Sequence, residues 1–250
     1  MEVSNIKILR SALFTPHQSL RCGVSTRCGG VSPEPYELNM SMKVGDAEER
    51  VIKNRELFFH RLGIPLDKLA IPNQVHGSDV VLVSAPGTYD ACDGLMTDIE
   101  NVFLTVTVAD CVPVFIFDPD IRAVAVIHAG WRGSKSKIVK NAVDAMTRQY
   151  GSDAKNLLAY IGPSAGVCCY EVGSEIADQF EDIYILHRSG RNLHLDMRAV
   201  QVDLLLDAGV PLNNIEVSHY CTICVPNLFH SYRRLGPKSG RMMGVIGMTG

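Results

Sequence analysis

The chain of 250 residues carries little excess charge, few aromatic residues and no long apolar run. A net charge of −3 supplies no basic field, which argues against nucleic acid or an anionic membrane as a partner. No window approaches the roughly 18 continuous apolar residues of a membrane helix, so no membrane association is expected. The opening stretch, Met1-Glu-Val-Ser-Asn-Ile-Lys-Ile-Leu-Arg10, lacks the apolar core of a signal peptide, and a cytoplasmic location is the default. Low-complexity linkers, charge blocks and internal repeats are also missing, so a single domain over 1–250 is expected.

What is present is mostly ordinary for a globular protein, with 46% hydrophobic and 20% charged residues. Cysteine is the exception. Eight cysteines in a chain this long do not resemble a small disulfide scaffold, so they are expected as free thiols, most of them buried and one or a few used chemically.

Periodicity outlines the elements. Asp46 to Gly63 reads as a helix with Val51, Leu57, Phe58 and Leu62 near helical period and a Gly63–Pro65 stop. Lys135 to Tyr150 reads as a second, with Ile138, Ala142, Ala145 and Met146 inward, and Gly173 to Phe180 as a short one. Asp196 to Ala208 is a further helix, with Asp196 as N-cap and Gly209 past its end. Leu69 to His128 is rich in strands. Ala123-Val-Ala-Val-Ile127 and Leu157-Leu-Ala-Tyr-Ile161 are continuous apolar runs suited to strands buried on both faces. The tail from Ile215 to Met248 reads as short strands and turns. The mixture predicts an α+β (mixed α/β) fold with helices on the faces of a mixed sheet.

Three metal-capable side chains stand at the edges of strand-like runs: His76, Cys111 and His128. Two imidazoles and a thiolate with a fourth position open describe a catalytic zinc site, and the same donors take copper in vitro. A blue-copper arrangement is a poor fit, because Val-Pro-Val-Phe-Ile-Phe-Asp follows Cys111 with neither histidine nor methionine. Asp93 and Asp110 can orient the ligands, or simply cap turns. A competing reading makes Cys111 a nucleophile with His128 as its base, a role that a metal-bound thiolate fills badly.

Other motifs are weaker. Ala129-Gly-Trp-Arg-Gly-Ser-Lys135 joins a strand to a helix, and Arg132 with the free N–H groups there suits an anion. It is not a phosphate loop of the nucleoside-triphosphatase type, because Ser134 rather than glycine precedes Lys135. Gly162-Pro-Ser-Ala-Gly166 has the spacing of a nucleophile elbow, but Val167-Cys-Cys-Tyr-Glu-Val172 after it reads as extended chain rather than helix. Cys221-Thr-Ile-Cys224 has no second pair after it. Adjacent Cys168 and Cys169 would point to opposite sides of an extended chain, so all four are expected as buried thiols. Arg27 and the arginines of Ser231-Tyr-Arg-Arg234 and Gly240-Arg-Met242 read as surface cations.

Taken together, Asn73-Gln-Val-His-Gly77, Cys92-Asp-Gly-Leu-Met-Thr-Asp98, Ala109-Asp-Cys-Val-Pro113, His128-Ala-Gly-Trp-Arg-Gly133 and Ile161-Gly-Pro163 resemble the YfiH-like family. Tyr170-Glu-Val-Gly173, Cys221-Thr-Ile-Cys224, Ser231-Tyr-Arg-Arg234 and Gly240-Arg-Met242 match it too. This laccase-domain or polyphenol oxidase family takes in FAMIN-type purine nucleoside phosphorylases and peptidoglycan editing factors. The resemblance implies layered mixed sheets and a zinc ion on His76, Cys111 and His128. It further implies phosphorolysis of adenosine, inosine, guanosine and methylthioadenosine, with adenosine deamination. An alternative is a cytoplasmic amidase that removes serine from a UDP-linked peptidoglycan precursor. A third reading is a zinc-stabilised interaction domain without catalysis.

The chemistry of the residues is compatible with the first reading. Inorganic phosphate would attack the anomeric carbon, with Arg27 and Arg132 as candidates to hold it and Asp93 as a further substrate-site residue. No histidine is followed by x-Glu, so the usual cytidine-deaminase signature is absent and any deamination needs a different acid or base.

Overall fold

The computed structural model describes residues 6–188 and 192–250; residues 1–5 of the opening stretch read above lie outside them. Two six-stranded mixed sheets form the centre. The first runs Ile8–Leu9, Leu20–Ser25, Met242–Met248, Phe103–Val108, Leu69–Pro72, Gly87–Tyr89. Its pairings are antiparallel as far as Phe103–Val108 and parallel beyond it. The second runs Ile215–Val217, Leu158–Ile161, Val112–Asp118, Ala123–Ala129, Gly94–Thr97, Val80–Leu82, with a parallel pair at each edge and antiparallel pairs between. A small three-stranded sheet lies outside them.

Alternation along the strands explains the layering. Phe115, Phe117, Val124 and Val126 of the second sheet meet Leu104, Val106, Val108 and Ile246 of the first in one core. The opposite faces of the same strands, Val112, Val114, Ile116, Ala125 and Ile127, pack with helix residues Ile138, Ala142, Met146, Leu204 and Leu205. Beyond the first sheet, Phe103, Met243 and Val245 meet Phe58, Phe59 and Leu62. Every central strand is therefore covered on both faces, which is why the runs read as continuously apolar. The result is a mixed α/β fold of helix, sheet, sheet and helix layers.

The helix expected over Asp46 to Gly63 is Glu48–Leu62, closed by Gly63 at φ 69°, a left-handed cap that glycine adopts without strain. Asp196 caps Met197–Asp207 by accepting from the Arg198 and Ala199 N–H groups.

Three expectations fail for identifiable reasons. The helix read from Lys135 begins at Ile138, because Lys137 turns left-handed at φ 59° and splits off a short helix, Trp131–Lys135. The tail, expected as short strands and turns, ends in a long strand: Met242–Met248 is seven residues in the middle of the first sheet, and its two glycines and three methionines hide that from propensity. Val167 to Cys169 forms a turn instead of extended chain, with Cys169 N–H and Tyr170 N–H both donating to the Gly166 carbonyl at 2.9 Å.

Candidate metal centre and its cavity

The site forms where the two sheets exchange strands. Cys111 sits in the tight link between Phe103–Val108 of the first sheet and Val112–Asp118 of the second. His128 belongs to the neighbouring strand Ala123–Ala129, with Pro113 as its register partner. His76 lies in the loop after Leu69–Pro72. One candidate ligand atom from each residue lies within 4.8 Å of the others, and the two imidazole rings meet edge to face with centroids 4.8 Å apart.

Asp93 builds this arrangement. Its carboxylate accepts the N–H groups of Val75, His76 and Gly77 at 3.0, 3.0 and 2.7 Å. Those bonds hold His76 at φ 59°, a left-handed conformation that costs a non-glycine residue roughly 1–2 kcal/mol. The same carboxylate lies 2.7 Å from His128 Nδ1, which fixes the ring and leaves Nε2 for an ion. Burial pushes Asp93 up, but the His128 and Gly77 bonds outweigh it and hold the carboxyl below its ordinary value. Gln74 anchors the other end of the loop by pairing with the Thr107 N–H and carbonyl like an extra strand residue.

Asp110 does the corresponding work for Cys111. At φ 83°, it accepts from Thr222 Oγ1 (2.7 Å), Ser231 Oγ (2.9 Å) and the Arg233 N–H (2.7 Å). Burial pushes the Cys111 thiol up, yet the adjoining His128 and His76 imidazoles bring it down to about 6. Burial pulls His128 the other way, and the Cys111 thiolate and Asp93 outweigh it, raising it to about 9. The preferred state of the bare site is therefore a thiolate beside an imidazolium, and a cation that displaces the proton finds its ligands ready. Gly130 keeps the space clear: a Cβ there would lie 2.9 Å from His76 Nδ1 and 3.4 Å from Cys111 Sγ. Two nitrogens and one thiolate, held by carboxylates and facing open space, fit a tetrahedral ion with one position to spare.

That open side is a cavity of about 780 Å³, within the range of small-molecule sites. His76 is exposed, Cys111 half-buried and His128 buried, so the ligand set descends from the cavity mouth to its floor. Trp131, Tyr170 and Tyr232 give the walls aromatic surface, and Lys43, Arg55, Arg233 and Arg241 give them positive charge.

The structure does not bring all the expected site residues to this cavity. Arg27 lies elsewhere, ion-paired with Glu37 and donating to the Pro226 carbonyl at 2.8 Å. Arg132 is exposed and stacks its guanidinium 4.6 Å from the Trp131 ring centroid. Neither lines the wall. Asp93 is fully buried behind the histidines and holds His128 and the loop of His76 in place. Arg233 and Arg241, which read as surface cations, line the cavity instead, and no local signal marks Lys43, in the turn before Glu48–Leu62, or Arg55, within that helix. Ser164 is buried and accepts from Arg198 Nε at 3.0 Å, so the elbow-like spacing yields no nucleophile.

Comparison with known proteins places the chain in a family. Residues 21–249 match the family described as multi-copper polyphenol oxidoreductase laccase, and the chain belongs to it. It is 35% identical over 243 residues to purine nucleoside phosphorylase YlmD of Bacillus subtilis, covering 90% of this chain and 87% of that protein. It is also 35% identical over 221 residues to adenosine deaminase RL5 from an unknown prokaryotic organism, covering 82% and 84%. Among solved structures, the Bacillus licheniformis hypothetical protein YfiH superposes with a TM-score of 0.92 at 33% identity, covering 99% of this chain and 98% of that one.

Proposed function

We propose that this protein is a zinc-dependent purine nucleoside phosphorylase, acting on adenosine, inosine, guanosine and methylthioadenosine, with an additional adenosine deaminase activity in the cytoplasm. The observation that carries this reading is the His76, Cys111 and His128 set opening onto a cavity that is both aromatic and cationic. The relatives named for these two activities support the choice of substrates.

The residues divide the work as follows. His76, Cys111 and His128 hold the zinc ion, and Asp93 and Asp110 fix their geometry. Zinc bound there supplies Lewis-acid chemistry. Trp131, Tyr170 and Tyr232 offer ring faces for a purine, where stacking is worth about 1–3 kcal/mol per base. Arg241 donates through Nη1 to the Ser239 and Gly240 carbonyls, and among the described residues no bond takes up its Nε and Nη2. It lines the cavity with those two nitrogens free, which suits it to bind the phosphate in place of Arg27 and Arg132. Arg55 is fastened twice to the Met40 carbonyl and keeps one amino group for the same anion. Phosphorolysis then joins a phosphate oxygen to the anomeric carbon as the glycosidic bond breaks and the purine nitrogen takes a proton.

Incubation of zinc-loaded protein with adenosine and phosphate tests this. Free adenine and ribose 1-phosphate are expected, with slower release of inosine and ammonia. No turnover of any of the four nucleosides by fully loaded protein sinks the reading.

A further inference from the structure

A second group of thiols lies away from the His76 centre, and it is not the set of isolated buried cysteines expected from the sequence. Cys168 and Cys169 come from the turn after Leu158–Ile161, and Cys221 and Cys224 from the loop after Ile215–Val217. The four sulfurs lie within 4.8 Å of one another. Cys169 Sγ is 3.1 Å and Cys168 Sγ 3.4 Å from Cys224 Sγ, closer than the roughly 4.0–4.5 Å of ordinary side-chain contact. The turn at Val167 to Cys169 is what lets neighbouring cysteines face one point.

We propose that Cys168, Cys169, Cys221 and Cys224 form a closed, structural site for a single zinc ion, separate from the His76, Cys111 and His128 centre. A zinc–sulfur distance of about 2.3 Å requires a tetrahedron with edges of about 3.8 Å, so the sulfurs at 3.1 and 3.4 Å need move apart by only a few tenths of an ångström to surround an ion. The cluster is too compact for an iron–sulfur core, which needs bridging sulfides between its irons. A disulfide would join two of the sulfurs and leave the other two without a reason to converge.

The surroundings are those of a thiolate site. The Gly166 N–H donates to Cys221 Sγ at 3.2 Å, and the N–H groups of Ile223 and Cys224 also point to that sulfur. A Cβ on Gly166 would come within 3.2 Å of Cys168 Sγ and 3.3 Å of Cys221 Cβ, so any larger residue would push the two loops slightly apart. Four thiolates around a divalent ion leave two negative charges. Arg198 lies near enough to answer them: its guanidinium feels Cys221, Asp196, Cys168 and Cys224 while donating to the Ser164, Ser218 and Tyr220 carbonyls.

The clip has a task. Tyr170, next to Cys169, lines the cavity. Thr222, between the other two cysteines, donates to Asp110 and so supports the turn that carries Cys111. The ion would fasten that wall of the cavity by adding to the few backbone links between the two loops, Thr222 N–H to the Ser164 carbonyl at 3.0 Å and Gly166 N–H to Cys221 Sγ at 3.2 Å.

The test uses the full chain with Cys111→Ser, which leaves the first centre without sulfur. Metal-free, reduced protein is titrated with cobalt(II). One cobalt per chain should give thiolate-to-cobalt charge transfer and the visible bands of a tetrahedral sulfur site, and zinc should displace it. Adding Cys224→Ser, a substitution at an exposed residue that leaves the core intact, should weaken the band and lower zinc affinity at least tenfold while the circular dichroism stays native. The proposal is overturned if the fully reduced Cys111→Ser protein shows no thiolate-to-cobalt band, or if Cys224→Ser leaves that band unchanged. None of these readouts depends on catalytic activity, so they stand apart from the phosphorylase reading.

Discussion

The two ligand clusters of this molecule contrast in how they are built. The His76, Cys111 and His128 set offers three donor atoms around a space that continues into a cavity, with carboxylates behind the ligands. The Cys168, Cys169, Cys221 and Cys224 set offers four donors of one kind, with backbone N–H groups and a guanidinium behind them. Three donors with an open side suit chemistry; four donors surround an ion and suit adhesion between loops. The open site draws on a strand of the second sheet, the link between the sheets and a loop, whereas the closed one joins two loops.

The sharpest way to break the contrast is to remove one sulfur from each cluster. Cys111→Ser should abolish phosphorolysis and metal binding at the open site while thermal unfolding stays cooperative. Cys224→Ser should retain measurable turnover and lose thermal stability instead. If the two variants give the same activity loss at full folding, the division between a chemical and a structural cluster fails.

Asp93→Asn comes next. It keeps the shape but loses the charge facing His128, and replacing such a supporting carboxylate typically costs 10–100-fold in metal affinity or turnover. Metal content and kcat/KM measured together check it. Unchanged values for both would mean that Asp93 only closes the Val75–Gly77 turn.

The electrostatics of the open site can be read by pH. In metal-free protein the Cys111 thiolate should appear in ultraviolet absorbance with a midpoint near 6 instead of the ordinary 9.0, and the signal should vanish in Cys111→Ser. The depressed Cys111 value contributes stability that is present above 9.0 and lost as pH falls through about 6. The raised His128 value contributes stability that is full below 6.5 and lost as pH rises through about 9. Between 6.5 and 9 the folded chain holds one proton on His128 and the unfolded chain one on Cys111, so the pair leaves stability flat there. His230 behaves differently. It is fully buried with both ring nitrogens unpartnered among the described residues, and burial together with Arg27, Arg241 and Arg234 lowers it to about 3. Its depressed value means that the unfolded chain takes up a proton that the folded one refuses, so stability should fall as pH drops below 6.5. Denaturant unfolding should show about 1.4 kcal/mol per pH unit of slope from this residue, absent in His230→Phe.

The smallest effect is expected at Arg132. Arg132→Ala removes an exposed stack on Trp131 worth about 0.5–1 kcal/mol and should leave phosphate KM unchanged, whereas Arg241→Ala should raise it. The reverse result would return the anion to the strand-to-helix turn.

Local pattern carried the helices over Glu48–Leu62 and Met197–Asp207 with their caps, and the apolar strands around His128, because these depend on neighbours a few residues apart. It also marked His76, Cys111 and His128 as metal-capable side chains at strand ends. It misread Cys168 and Cys169, whose convergence depends on a turn that the residue types do not announce. It also pointed to Arg27 and Arg132, which lie off the cavity wall, and not to Arg55 and Arg241, which line it, since a cation's sequence neighbours say nothing about which wall it faces.

By itself the sequence determined the elements, their buried faces and the chemical types available, because periodicity and capping are properties of adjacent residues. The tertiary structure alone decided which donors meet, which arginines face the cavity and which four thiols share a point. Those distances are set by strand order and by loops brought together from more than fifty residues apart.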